Sequence, residues 1–351
     1  MHKFLSGLAL AALLVPPVAA QETGKPLTPS DIVAAAPAAD WVRIAPADLV
    51  VMDLAPDAHG KARRVVIQLM LAPFSQGWVA NVRKLVAARW YDGIAVVRVQ
   101  DNYVVQWGDP DGEDPKKAKG LPKGLERSPE TGYLTPFVAG SVQSRWEHGR
   151  HYKAVTVRSG HLFLPPPAAP DMSDPYATSF SFAAGFPVAM TTLKEETPTV
   201  ITVRPDQMWP IHCYGMVGVG RNLSPDTGSG AELYAVIGTP PRQLDRNIAL
   251  VGRVIAGIEH LSSLPRGTGP LGFYETPDER VPIVSARMGD EVHDLPAYEY
   301  LSTESASFAA YADKRANRQD DFYIRPAGGV DVCNVPVPVR VAGGEVTRVG
   351  M

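Results

Sequence analysis

The sequence predicts a mainly β protein, a closed antiparallel β-barrel capped by two short helices, with a long insertion and a C-terminal extension. Three observations point there. Short β-branched runs bounded by Gly, Pro, Asn or Asp outnumber the two barrel segments with helical spacing. The 31 glycines and 33 prolines among 351 residues exceed the usual combined share of ~12%, marking a loop-rich chain and excluding bundles of long helices. At 45% hydrophobic content the chain can bury a sizeable core, which excludes general disorder.

Taken in order, Leu49–Leu54 and Arg64–Leu69 are β-branched runs flanking a Pro, Asp and Gly turn region, the pattern of a hairpin. Ala80–Ala88 then places Val82, Leu85 and Val86 at helical spacing, with Asp92-Gly93 as the stop. A second hairpin follows, Ala95–Gln100 with Val104–Gly108. Residues 110–212 read as an insertion: acidic Pro/Gly turns open it, Pro165-Pro166-Pro167 interrupts regular structure, and strands are expected at Tyr152–Val157 and Thr199–Val203. Barrel patterning resumes at Gly215–Gly220, Leu233–Ile237 and Ala249–Val254, followed by a helical segment, Ile255–Leu264, and a last strand, Val281–Arg287. The expected organisation is a linker with a short ordered end over 21–47, a barrel over 48–290 split by 110–212, and an extension over 291–351. That extension carries a helix-like Ser305–Lys314 and a Pro-interrupted strand, Val335–Val341.

The first twenty residues have the three parts of a cleavable secretory signal. His2 and Lys3 give a positive start, Phe4–Val15 is an apolar run too short to span a bilayer, and small residues end it at Ala20 before Gln21. The mature chain is therefore expected to be exported, periplasmic or secreted, with no membrane insertion after cleavage. Export makes an oxidising compartment plausible for the two cysteines, Cys213 and Cys333, which form either one bridge or two buried thiols. With 34 basic and 37 acidic side chains, net charge −3, no broad cationic surface serves nucleic acid.

Chemistry-bearing patterns are few. His148 and His151 lack a third ligand at zinc spacing, and Asp109, Asp111, Glu113 and Asp114 miss the calcium-loop pattern, so no metal is expected. Gly215, Gly218 and Gly220 lack the dinucleotide-binding order, and no phosphate-binding or serine-nucleophile signature occurs.

Four pieces in sequence carry a resemblance. Val96 to Asp109, reading VVRVQDNYVVQWGD, is similar to the central hairpin of the cyclophilin-type peptidyl-prolyl isomerases, where an arginine, an aromatic and a glutamine recur at this spacing. Ala80-Asn81-Val82-Arg83 resembles the family's first helix, and Gly230–Tyr234 its Gly-Ser-Gln-Phe-Phe segment. Leu244-Asp245, with Val251–Glu259, resembles its Leu-Asp and Phe-Gly-Lys-Val stretches. The resemblance implies a cyclophilin-like barrel and isomerisation of X–Pro bonds in unfolded or flexible polypeptides, without a cofactor.

Those residue types suit that chemistry. Rotation about X–Pro is slow because the C–N bond has partial double-bond character, with a barrier of ~18–20 kcal/mol. In the twisted amide the prolyl nitrogen recovers its lone pair, which a permanently charged donor such as Arg98 can stabilise while Gln106 holds a neighbouring backbone group. If Asp101-Asn102-Tyr103 is a three-residue turn, Arg98 faces Gln106 and both share one face.

By resemblance, Tyr103, Val104, Tyr234, Leu244 and Ile248 wall the proline pocket, and Gly220, Arg221 and Asn222, with Glu232 nearby, line the peptide-backbone side. Tyr103 and Tyr234 stand where the family often has Phe, adding hydroxyls that need partners. Gln243 replaces a frequent Trp and Ile248 a frequent His, both on the expected pocket wall. The retained Arg98 and Gln106 favour an enzyme assisting the folding of exported proteins; Gln243 and Ile248 favour a catalytically weak or inactive protein-binding or chaperone module on the same fold.

Overall fold

The computed structural model describes residues 26–137, 144–147, 150–153, 176–196, 201–344 and 346–347. The expected leader, the Pro165–Pro167 run and His148 lie outside the described residues.

Eight strands close a barrel: β1 Leu49–Leu54, β2 Arg63–Leu69, β3 Ala95–Val99, β4 Val104–Gly108, β5 Met216–Val219, β6 Leu233–Val236, β7 Leu250–Ala256 and β8 Val281–Met288. Their order around the barrel is β5-β6-β4-β3-β8-β1-β2-β7, with β7 returning to β5, and every pairing is antiparallel. Closure removes the exposed edges that such short apolar strands would otherwise offer to other chains. Inward-facing Met52, Ile67, Leu69, Trp107, Val217 and Val251 meet in the interior.

Among the described residues, four short helices accompany the barrel: α1 Pro29–Ala34, α2 Gln76–Ala87, α3 Glu259–Ser262 and α4 Ala306–Ala316. α2 buries Trp78, Val79, Val82, Leu85 and Val86, each worth roughly 1.5–3 kcal/mol when taken out of water. The helix expected at Ile255–Leu264 is mostly not one. Ile255 and Ala256 end β7, and Gly257 then turns the chain at φ +80°, where a Cβ would sit 2.1 Å from the Arg64 carbonyl. Only Glu259–Ser262 is helical.

Residues 29–43 depart from the expected linker. Thr28 and Asp31 form a capping box, Pro29 takes a first-turn position where its missing N–H costs nothing, and Trp41–Arg43 pairs with strand Tyr298–Leu301 of the C-terminal extension. The Pro, Ala and Asp content that reads as a linker is here the material of a helix start.

The described residues of the insertion form a six-stranded sheet, in spatial order Thr135–Pro136, Ile201–Pro210, Phe186–Glu196, Ser179–Ala183, Ser144–Glu147 and Arg150–Lys153. Of the expected strand Tyr152–Val157, Tyr152 and Lys153 end the Arg150–Lys153 strand and residues 154–157 lie outside the described residues. The strand expected at Thr199–Val203 runs on to Pro210, with residues 199–200 outside the described residues. Phe182, Phe186, Met208 and Trp209 of this sheet join the same hydrophobic core as the barrel and α4. In the extension, Ser305 caps α4, and only Val339–Val341 of the Pro-interrupted run pairs as a strand. Cys213 and Cys333 are joined by a disulfide across 120 residues, tying the extension to the chain entering β5. Closing a loop of that length stabilises by up to ~4–5 kcal/mol on the chain-entropy account.

Candidate active site

The β3–β4 hairpin sets one wall. Gln100 N–H donates to Val104 C=O at 2.9 Å, Val99 faces Val105, and Arg98 faces Gln106. This is the register of a three-residue turn, with Asn102 in the left-handed region at φ 50°. The Asn102 side chain accepts from Thr239 N–H at 2.8 Å, and Ile237 N–H donates to Tyr103 C=O at 2.9 Å, so the turn is fastened to the exit of β6.

Every edge of the half-buried Arg98 guanidinium is placed. Nη1 donates to Gln106 Oε1 at 3.0 Å, Nη2 to Gln100 Oε1, and Nε to the Leu271 carbonyl at 2.8 Å. The rings of Tyr103 and Phe273 lie 5.5 and 5.1 Å from its centre, in cation–π range. Leu271 holds φ 55°, a left-handed conformation costing about 1 kcal/mol or more for a residue with a side chain, and delivers its carbonyl to the arginine. Burial lowers the Arg98 pKa, yet arginine stays charged at neutral pH.

Gln106 is held from behind, its Nε2 donating to Glu232 Oε1. Burial pushes the Glu232 carboxyl above the usual range, with Gln106 and Arg98 partly opposing that shift. Arg98, Gln106 and Glu232 share a groove of about 830 Å³ with Gly220, Arg221 and Asn222, and Gly220 N–H donates to Glu232 C=O at 2.8 Å. Arg221 spans to the Asn247 carbonyl at 2.9 Å, and Asn222 N–H is capped by Asp226 at 2.8 Å. Asp109 and, from the start of the insertion, Glu113 and Lys119 also line the groove. Asp109 and Asp114 use their carboxylates on local backbone N–H groups, and among the described residues no group of three or more His, Cys, Asp or Glu could hold a metal ion.

Beside the arginine lies an apolar floor separate from the main core. Val104, Tyr234 and Val236 are buried in it, and Tyr103, Leu244 and Ile248 pack against them. Gln243, in the same turn as Leu244, is exposed. The tight turn Arg242–Leu244 has about three residues per revolution, so with Leu244 facing the pocket and Arg242 facing Asp245, Gln243 takes the outward position.

Sequence reasoning missed two sets of residues. Phe273 and Leu271, which grip Arg98, sit in a loop with no regular pattern. His212 and Asp245 lie under the floor, joined to the Tyr234 hydroxyl, and no spacing rule links residues 212, 234 and 245. A hydroxyl added to an apolar pocket needs a partner, and that requirement was the available signal.

The family model for the cyclophilin-type peptidyl-prolyl cis-trans isomerase matches residues 65–288, more than half of the chain. The chain belongs to that family. A cyclophilin from Hirschia baltica, AquaCyp293, is similar in fold with a TM-score of 0.55 at 19% identity, the match covering 87% of this chain and 97% of that one. Two structures of a Cryptosporidium parvum cyclophilin-type isomerase, the second in the presence of the dipeptide Ala-Pro, match with TM-scores of 0.35 and 0.34 at 12% and 10% identity. They cover 71% and 68% of this chain and 99% and 98% of theirs. No curated protein matches the sequence. Within this cyclophilin-type barrel the arginine wall and the apolar floor adjoin at Tyr103, which touches both.

Proposed function

We propose that this chain catalyses rotation about X–Pro bonds of unfolded or flexible polypeptides, and that its substrates are exported proteins. The supporting observation is the adjacency of a fixed cation to an apolar floor: Arg98 is held by three oxygen acceptors and two aromatic rings beside Val104, Tyr234, Leu244 and Ile248. A prolyl ring seated on the floor brings its nitrogen toward the guanidinium. As the amide twists, that nitrogen gains electron density, and a preorganised donor stabilises the twisted state more than the planar one. Gln106, steadied by Glu232, holds the neighbouring backbone. No proton or electron is transferred, so the reaction calls for no cofactor.

Isomerisation of a short Ala-Pro peptide tests this. Arg98→Ala is expected to lower kcat/KM by about 10²–10³-fold, as for loss of one preorganised donor. A parent rate equal to the uncatalysed one, or no loss in the variant, would defeat it. Ile248 in place of a polar wall residue favours the second reading, a peptide-binding module with negligible turnover, which predicts peptide binding without acceleration.

Export rests on the leader pattern of residues 1–20 and on a disulfide that suits an oxidising compartment. The exported fraction is expected to contain a chain beginning at Gln21. Mass spectrometry finding only the full-length chain, inside the cytoplasm, would refute it.

A further inference from the structure

The Tyr234 hydroxyl is not idle. Its oxygen lies 2.8 Å from His212 Nε2, and His212 Nδ1 lies 2.9 Å from Asp245 Oδ1. The same carboxylate oxygen accepts the backbone N–H of His212 at 3.0 Å, while Asp245 Oδ2 accepts from Arg242 Nε at 2.6 Å. His212 and Asp245 are both fully buried, and Arg242 nearly so.

Proton positions follow from the chemistry of the acceptors. An ionised carboxylate beside an arginine only accepts, so Nδ1 of His212 carries its hydrogen toward Asp245. The other nitrogen of the neutral ring is then an acceptor, and the Tyr234 O–H donates to it. Burial raises the Tyr234 phenol pKa well above its ordinary value, which keeps that hydrogen in place. Tyr234 thus turns its one polar atom away from the floor and offers the pocket a ring.

The second consequence is geometric. Asp245 follows Leu244 directly, and the turn closes with Ile248 N–H donating to Leu244 C=O at 3.1 Å. One imidazole therefore touches the strand that carries Tyr234 and, through Asp245, the turn that carries Leu244 and Ile248. Tyr234, Leu244 and Ile248 belong to one apolar cluster. The neighbouring Cys213 is bridged to the extension, which fixes the chain bearing the imidazole.

We propose that His212 is the positioning residue of the proline pocket: it holds Tyr234 and the Leu244–Ile248 turn at a set separation, so that grip on the prolyl ring, and not stabilisation of the twisted amide, depends on it. This rests on the isomerase reading above for its substrate. It adds that the floor and the arginine wall are separately tunable, because none of the Arg98 contacts involves His212.

The experiment compares His212→Leu, Tyr234→Phe, the double variant and Arg98→Ala on one Ala-Pro tetrapeptide, recording kcat, KM and the peptide Kd by titration. His212→Leu leaves a buried hydroxyl without a partner and is expected to raise KM and Kd about tenfold, with kcat within about threefold of the parent. Adding Tyr234→Phe removes the orphaned hydroxyl, so the double variant is expected to bind about fivefold or more tighter than His212→Leu alone. Arg98→Ala moves kcat instead. A merely structural role would lower Tm and active fraction while leaving KM and Kd unchanged, and that result overturns the proposal. So does a double variant that is no tighter than the single one. Should His212→Leu fail to fold, Asp245→Asn loosens the same turn and is expected to raise KM severalfold; an unchanged KM there also overturns it. A parent that binds the peptide without accelerating its isomerisation defeats the isomerase reading alone, and His212 is then judged on Kd.

Discussion

On the arginine wall, Arg98 and Gln106 come from one hairpin, eight residues apart, whereas the floor draws Tyr234, His212 and Asp245 from segments 22 and 33 residues apart. The wall is set by register. Once a three-residue turn is chosen, Arg98 must face Gln106, and the supporting contacts from Leu271, Phe273 and Glu232 arrive from elsewhere. The floor is set by hydrogen bonds between buried polar groups, each of which would be costly alone. Local geometry thus aims the charge, and a non-local polar network shapes the pocket.

The floor has a second dependency that can break this comparison sharply. Gly218 on β5 pairs with Tyr234 on β6, and a Cβ at Gly218 would fall 2.3 Å from the phenol carbon and oxygen. The ring cannot retreat, because its hydroxyl is bonded to His212 on the buried side. Gly218→Ala is expected to cost about 1–3 kcal/mol of stability through overpacking and to weaken Ala-Pro peptide binding about tenfold or more. Chemical denaturation and peptide titration check both. Unchanged binding would mean that Tyr234 does not form the floor.

How far each half was legible follows from the same contrast. The barrel strands, the Arg98–Gln106 register and the left-handed Asn102 all follow from alternation and turn chemistry within a few residues. The apolar set Tyr103, Val104, Tyr234, Leu244 and Ile248 required the family resemblance, since nothing local joins β4, β6 and the 242–248 turn. The exposure of Gln243 is not legible in composition, because the turn's phase decides which of its residues faces out. Residues 29–43 were misread because a proline at a helix start looks like a proline in a linker until its partners are known. His212 was invisible: a lone histidine announces nothing until the hydroxyl and carboxylate on either side of it are in view.

The arginine wall carries a smaller effect, a pH dependence set by Glu232. Ionised Glu232 can only accept, which obliges Gln106 to present its amide N–H₂ to Glu232 and its oxygen to Arg98. Protonated Glu232 can itself donate, so Gln106 is free to turn and Arg98 loses an assured acceptor. Burial raises the Glu232 pKa, so this release begins at a higher pH than for an exposed carboxylate near 4.3. The stability sign is opposite. Below the unfolded value Glu232 is neutral in both states and costs nothing, and as pH rises toward the raised folded value, burying the charge takes stability away. Activity should therefore climb with pH through the raised pKa while stability slightly declines. Glu232→Gln keeps an acceptor oxygen for Gln106, is expected to lose about two- to threefold at neutral pH, and should flatten the acid limb of the kcat/KM profile. An acid limb of the same position and depth in the variant would assign the titration to another group and leave Gln106 held by geometry alone.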